Sequence, residues 1–165
     1  MDRQEKQAQF AAPPKKRGIA WPLIALAVVL AGAAGWLVFG SMVSAGEVTA
    51  SGGRIAIPAA TLDDGKARFF TYRHDGTAIR FFLLKSHDGV IRAALDTCDV
   101  CYREKKGYRQ EGDEMVCNNC NQRFPSDQIN EIKGGCNPAP IERDIAGGQV
   151  LLSEAELRQG KRYFQ

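Results

Sequence analysis

Two pairs of cysteines constrain the fold of this chain more than any other feature. Cys98 and Cys101 form one C-x2-C pair, and Cys117 and Cys120 form a second, with 15 residues between the pairs. Two intervening residues let both sulfurs of a pair point at one ion, and 15 residues suffice for a hairpin that turns the second pair toward the first. The sequence therefore predicts a metal centre with these four cysteines as ligands. Four such thiolates accept zinc, iron or an iron–sulfur cluster.

The remaining cysteine, Cys136, lies in the run Gly-Gly-Cys-Asn-Pro-Ala-Pro at 134–140. Three roles stay open for it: an additional metal ligand, a ligand that exchanges with one of the four, or a buried thiol. An odd number of cysteines excludes complete pairing within the chain. Structural disulfides or redox-active dithiols are the alternative to a metal. Thioredoxin-like chemistry, however, usually places C-x-x-C at a helix start in a βαβ unit, which this sequence lacks.

No other arrangement of residues indicates catalysis. Tyr102 and Asn121 follow the two cysteine pairs, so the C-x-x-C-H pattern of haem attachment is absent. His74 and His87 each precede an Asp-Gly turn, which is typical of surface positions. Metal ligation or an axial haem role is the alternative for these two histidines. No catalytic residue is predicted, and the sequence favours an electron carrier or metal-binding protein over an enzyme.

An uncharged apolar run extends over the 21 residues from Ile19 to Phe39. About 20 apolar residues in a helix cross the hydrocarbon core of a bilayer. Lys15, Lys16 and Arg17 stand directly before this run, and basic residues beside a spanning helix favour the cytoplasmic side. We therefore expect a single-pass protein with its N-terminus inside. The alternative is a cleaved signal peptide, although its apolar region is usually only about 7–15 residues long.

The chain is predicted to divide into a cytoplasmic basic tail (1–18), a transmembrane helix (19–40), a linker rich in Gly, Ser and Ala (41–53) and an extracytoplasmic cysteine-rich metal-binding domain (54–165). The tail holds five basic and two acidic side chains, a balance of +3 that equals the formal net charge of the whole chain. The remainder is neutral, so the basic character marks membrane topology and excludes a nucleic-acid footprint.

The last of these parts is predicted to be mainly β. Three β-prone runs indicate an antiparallel meander that leads to Cys98, because the two short loops that join them both contain Asp-Gly. A hairpin around 111–113 separates the two cysteine pairs. Ser153 and Glu156 have the spacing of a capping box, which predicts a short helix over 154–159. Strands are expected over 68–72, 78–84, 90–95, 106–110, 114–116 and 149–152.

From Ala67 to the C-terminus the chain resembles a family of FtrD-like membrane iron–sulfur proteins. The stretches that carry the resemblance are R-F-F at 68–70, I-R-F-F at 79–82, C-D-V-C-Y at 98–102, K-G-Y at 106–108, V-C-N-N-C at 116–120 and K-G-G-C-N-P-A-P at 133–140. The resemblance implies electron transfer or metal handling linked to bacterial iron uptake. It implies an iron–sulfur cluster or mononuclear iron, with zinc as the alternative, and a membrane iron permease or redox partner. It also implies a bacterial inner-membrane protein whose C-terminal domain is periplasmic or otherwise extracytoplasmic.

A weaker resemblance links the chain to Rieske domains, in which strands lead to one knuckle and a hairpin leads to a second. Cysteines stand here where Rieske proteins have histidines, so a two-iron cluster would have all-thiolate ligands and a lower potential. The expected fold is thus a small antiparallel Rieske-like or zinc-ribbon-like metal domain. A structural zinc module and a periplasmic thiol-redox protein are the alternative functions.

Overall fold

The computed structural model of the chain describes residues 46–165. The predicted tail, the predicted transmembrane helix and the first five residues of the predicted linker lie outside these residues. Between 46 and 165, no helix is long and apolar enough to cross a membrane.

The described residues form ten strands and one α-helix, together with short 3-10 turns. The mainly β fold with a short C-terminal helix is therefore confirmed. The strands are β1 (Glu47–Val48), β2 (Arg54–Pro58), β3 (Arg68–His74), β4 (Thr77–Lys85), β5 (Ile91–Leu95), β6 (Tyr108–Glu111), β7 (Glu114–Cys117), β8 (Arg123–Pro125), β9 (Arg143–Ala146) and β10 (Gln149–Ser153), and the helix is α1 (Glu154–Gly160).

The predicted meander is present as β3, β4 and β5, which pair antiparallel in chain order. Asp75 and Gly76 form the two-residue turn between β3 and β4, with φ of 45° and 73°. Positive φ at both central residues is what a tight hairpin turn requires, and Asp-Gly adopts it at low cost. β1 adds a parallel edge by pairing Glu47 with Thr71, so part of the range predicted as a linker belongs to this sheet.

The meander has an apolar cluster on each face. On one face the central cluster includes Ile79, Phe81 and Leu83 of β4, packed with residues of β2, β10 and α1. On the other face Phe82 and Leu84 of β4 belong to the cysteine-side cluster, which comprises Phe82, Leu84, Ala94, Cys98, Tyr108, Met115, Cys117, Phe124 and Ile129. Burial on both faces explains why β4 has a continuous apolar run instead of an alternating one.

Two further three-stranded sheets complete the fold. One has the order β2-β10-β9, and the other has the order β6-β7-β8. The predicted hairpin is β6 and β7, in which Glu111 pairs with Glu114. The sequence did not indicate β8, whose Phe124 lies beside Met115 of β7. This third sheet carries the second cysteine pair and contacts the meander through the cysteine-side cluster.

Helix α1 forms where predicted, but the predicted capping box is wrong. The Ser153 side chain makes no capping hydrogen bond. Glu156 Oε1 instead accepts a hydrogen bond of 2.8 Å from the backbone N–H of Glu142. In a capping box the Glu156 carboxylate would accept a hydrogen bond from the backbone at the start of the helix. Here it accepts one from the segment before β9 instead.

Candidate metal centre

The first cysteine pair lies in the turn that follows β5. The backbone N–H of Cys101 donates to Cys98 Sγ at 3.1 Å. This bond closes the four-residue segment, and the sulfurs of Cys98 and Cys101 lie within 4.8 Å of each other. The meander thereby places the first pair at the end of a buried strand.

The second pair lies at the end of β7, which includes Cys117. The chain reverses directly afterwards, because Asn121 adopts φ of 57° and its N–H donates to the Cys117 carbonyl at 2.9 Å. The Cys117 N–H donates in turn to the Gln122 carbonyl at 3.0 Å. Asn tolerates this left-handed conformation better than most residues, which is the local reason for a tight turn here.

The five sulfurs form two overlapping groups. Cys98, Cys101 and Cys136 make one group, and Cys101, Cys117 and Cys120 make the other, with all sulfurs of a group within 4.8 Å of one another. Cys101 belongs to both. All five cysteines are free thiols. Bonds of about 2.3 Å from a tetrahedral metal to sulfur place two ligand sulfurs about 3.8 Å apart, so each group is compact enough to bind one ion.

The structure therefore brings the four predicted ligands together, but as parts of two groups instead of one set of four. Cys136, whose role the sequence left open, completes the group that includes the first pair. The centre spans the boundary between core and surface, because Cys98 and Cys117 are buried, Cys101 and Cys136 are half-buried, and Cys120 is exposed.

Crowding of the sulfurs shifts the acidity of the thiols. The side chain of Asn119 lowers the pKa of Cys101, but burial and the adjacent Cys117 outweigh it and raise that pKa to about 12. Burial also raises the pKa of Cys136. The backbone N–H of Gln122 lowers the pKa of the exposed Cys120 thiol. Cysteines bind a metal as thiolates. Adjacent thiolates repel one another, and the positive charge of a bound cation offsets this repulsion.

Tyr108 links the hairpin to the Cys136 loop. Its hydroxyl donates a hydrogen bond of 2.6 Å to the Cys136 carbonyl. Its ring is buried against Phe82 and Phe124, with ring centres 6.2 and 6.1 Å away. Burial, and then the neighbouring Cys98, raise the pKa of Tyr108 far above its ordinary range, so the hydroxyl stays a proton donor. Tyr108 belongs to the K-G-Y stretch at 106–108 that carries the family resemblance, but the sequence predicted no role for it, because a tyrosine at a strand start has no distinctive pattern of its own.

The carboxylate of Asp96 holds the start of β6 through the backbone of Tyr108. Its Oδ1 accepts a hydrogen bond of 2.7 Å from the backbone N–H of Tyr108, and its Oδ2 lies 3.2 Å from Arg80 Nε. Burial raises the pKa of Asp96, while the Tyr108 N–H and the Arg80 charge lower it. Gly107 has φ of 66°, and a Cβ at this position would overlap the Asp96 carboxylate. The sequence did not indicate this contact, which joins residues on separate segments.

The Cys136 loop is fixed beside the first cysteine pair by backbone hydrogen bonds. Leu95 N–H donates to the Ala139 carbonyl at 2.8 Å, and Ala139 N–H donates to the Thr97 carbonyl at 3.0 Å. Gly134 and Gly135 adopt φ of 85° and 63°, a conformation that favours glycine. The two glycines allow the chain to turn back and bring Cys136 to the centre.

The two histidines belong to neither cysteine group. His87 Nδ1 lies 2.6 Å from Asp113 Oδ2, and His74 Nε2 lies 3.1 Å from Asp75 Oδ2. Each histidine thus interacts with a carboxylate at a turn.

Comparison with known proteins gave one family and one solved structure. The family model described as "Membrane iron-sulfur containing protein FtrD-like" matches residues 62–164, which include all five cysteines. No curated protein matches. A crystal structure of the quaternary ammonium Rieske monooxygenase CntA with an inhibitor is similar, with 14% identity and a TM-score of 0.35, over 53% of this chain and 27% of that chain. At this TM-score the likeness carries no argument about fold or function. The family match spans more than half of the chain, which therefore belongs to the FtrD-like family of membrane iron–sulfur containing proteins.

Proposed function

We propose that this protein is a membrane-anchored electron carrier whose iron–sulfur centre is held by Cys98, Cys101, Cys117 and Cys120. The observation that carries the proposal is the pair of overlapping sulfur groups that share Cys101. The family supplies the expectation of iron and sulfide. Thiolates are the protein ligands that such clusters use most.

The placement of the cysteines suits an exchange of electrons. When bound, an iron–sulfur centre supplies one-electron oxidation and reduction. Cys98 and Cys117 bury one side of the site in the cysteine-side cluster, where apolar side chains limit the access of water. Cys120 is exposed, so a redox partner can come close to the side of the site that Cys98 and Cys117 do not bury. All-thiolate ligands add negative charge, so we expect a reduction potential below that of a Rieske centre.

The location and the partner belong to the same proposal. The apolar run over 19–39 and the basic residues at 15–17 support a single-pass anchor in the bacterial inner membrane, with the metal domain in the periplasm. The bilayer is then the first partner. A membrane iron permease, or a redox protein beside it, would receive or supply the electrons during iron uptake. The neutral charge of residues 19–165 gives no support for nucleic-acid binding.

A structural zinc site is the second candidate. The spacing of the sulfurs supports it equally, because zinc also binds tetrahedral thiolates with bonds of about 2.3 Å. In that case the metal would only stabilise the β6-β7-β8 sheet and its surface for a partner. A thiol-redox protein is the third candidate, because Cys101 Sγ and Cys136 Sγ lie 4.0 Å apart.

Purification of the full chain in detergent without oxygen separates these candidates. Iron, acid-labile sulfide and zinc are measured in the same sample, with an optical spectrum before and after reduction by dithionite. We expect iron and sulfide together with a visible absorption that dithionite bleaches. A colourless protein with one or more zinc ions per chain and no redox couple would reject the electron-carrier proposal. Trapping of mixed disulfides by the C101S variant would favour the thiol-redox candidate instead.

A further inference from the structure

The Cys136 thiol lies about as close to Cys101 Sγ as two sulfurs that bind the same metal ion lie to each other. Cys101 Sγ and Cys136 Sγ are 4.0 Å apart, and Cys98 Sγ lies within 4.8 Å of both. Two sulfurs on one tetrahedral ion are about 3.8 Å apart when each bond is about 2.3 Å. The separation of Cys101 and Cys136 therefore needs almost no change for both to bind the same ion.

Backbone contacts, more than apolar packing, set the position of Cys136. The Tyr108 hydroxyl fixes its carbonyl, and the hydrogen bonds of Ala139 to Leu95 and Thr97 fix the chain three residues later. The side chain of Asn137 donates to the Gly134 carbonyl at 3.1 Å and closes the turn. A thiol that only filled space would not need such fixation, whereas a ligand must be held in place before the metal arrives.

The surroundings of Cys136 also resemble those of a ligand. Its thiol is half-buried, and the sulfurs of Cys98 and Cys101 lie within 4.8 Å of it. Cys136 thus lies beside the first pair, at the edge of the cysteine-side cluster.

We propose that Cys136 is a metal ligand and binds the same ion as Cys101. The centre then takes its ligands from three segments of the chain: the turn after β5, the end of β7 and the loop before β9. This inference rests on the proposed function in one respect, namely that the cysteines bind a metal. It differs from the prediction of a site built from the two C-x2-C pairs alone.

Replacement of the native metal by ¹¹³Cd in the full wild-type chain tests the assignment residue by residue. Coupling between the cadmium nucleus and the β-protons of a cysteine identifies that cysteine as a ligand. We expect the β-protons of Cys136 and Cys101 to correlate with the same cadmium resonance. Correlations from the two pairs without any from Cys136 would overturn the inference and leave the proposed function intact. Failure of every cysteine to bind cadmium, with no iron or zinc in the native protein, would overturn both.

A pair of variants in the same loop gives a second measurement. C136S removes the thiol, while K133A, three residues earlier in the same loop, removes only an exposed ion pair with Glu142 and keeps the thiol. We expect C136S to lower the affinity for metal at least about tenfold in competition with a chelator, and to change the electron paramagnetic resonance spectrum of the reduced iron protein. We expect K133A to retain both properties.

Equal effects of the two variants, or a C136S protein with wild-type affinity and spectrum, would contradict the assignment. If C136S fails to fold, the cadmium measurement on the wild-type chain decides.

Discussion

The hydroxyl of Tyr108 donates a hydrogen bond of 2.6 Å to the backbone carbonyl of Cys136. The bond joins the first residue of β6 to a loop that follows it by 28 positions in the chain. Since the ring of Tyr108 also packs on Phe82 and Phe124, the rigid core extends directly to the loop of the fifth cysteine.

Replacement of Tyr108 by Phe should loosen this loop while keeping the aromatic packing. Loss of the donor leaves a partly buried carbonyl without its partner, so the free energy of unfolding should fall by about 1–2 kcal/mol. The reduction potential and the electron paramagnetic resonance spectrum should also shift, because Cys136 is no longer fixed beside the metal. Y102F is the matched control, since Tyr102 makes an edge contact with Tyr163 and lies outside the cysteine-side cluster. The same spectral shift in both variants would contradict a specific role for Tyr108.

Phe81 and Phe82 are adjacent, fully buried, and packed in opposite clusters. We expect F81L and F82L to lower the free energy of unfolding by similar amounts, about 1–2 kcal/mol, because each loses comparable packing. Only F82L should alter the metal centre, since only Phe82 contacts the cluster that holds Cys98 and Cys117. Denaturant unfolding and the optical spectrum of the purified proteins check the two parts. An equal change of the optical spectrum in both variants would contradict the prediction that only the cysteine-side cluster affects the metal centre.

Gly107 and Gly112 both adopt a left-handed conformation, with φ of 66° and 62°, but only Gly107 lies against another group. G112A should lower the free energy of unfolding by about 1–2 kcal/mol, which is the ordinary cost of a side chain in this conformation. G107A should cost clearly more, because its Cβ also displaces the Asp96 carboxylate and weakens the hydrogen bond to Tyr108 N–H. Urea unfolding of the two metal-bound variants compares the costs. An equal fall in the free energy of unfolding of the two variants would contradict this prediction and would mean that the Asp96 carboxylate moves away from the new Cβ without cost.

Asp88 should make stability depend on pH in the acid range. The Ser86 hydroxyl, the Val90 N–H and the Arg92 guanidinium lower the pKa of Asp88 from 3.8 to about 2. A lowered pKa in the folded state means that the unfolded chain binds the proton more readily, so the stabilisation is complete above pH 3.8 and is lost as pH falls through about 2.

The measurement for Asp88 is the difference in free energy of unfolding between wild type and D88N as a function of pH. The subtraction cancels the acid sensitivity of the cysteine centre, which both proteins share. The difference should be constant above pH 3.8 and should shrink as the pH approaches about 2. A difference that stays flat across this window would contradict the assignment.

Local pattern was sufficient for much of the fold. The aromatic and β-branched runs predicted β3, β4 and β5, and the Asp-Gly dipeptide predicted the turn at Asp75 and Gly76. These features depend on residues close together in sequence, whose conformational preferences are intrinsic. The strands β1, β2, β8 and β9 were not predicted, because each is ordered by pairing with its neighbours and has at most five residues in which to show a period of its own.

Spacing in the sequence determined that two C-x2-C pairs are available to a metal, since two intervening residues make each pair a local unit. The tertiary structure alone decided that the sulfurs form two groups around Cys101 and that Cys136 completes one of them. It also decided that Glu156 bonds to the Glu142 N–H instead of capping α1. The reason is the same in each case: these contacts join segments that are distant in sequence. Their distances follow from how the sheets and loops pack, which no local pattern of residues contains.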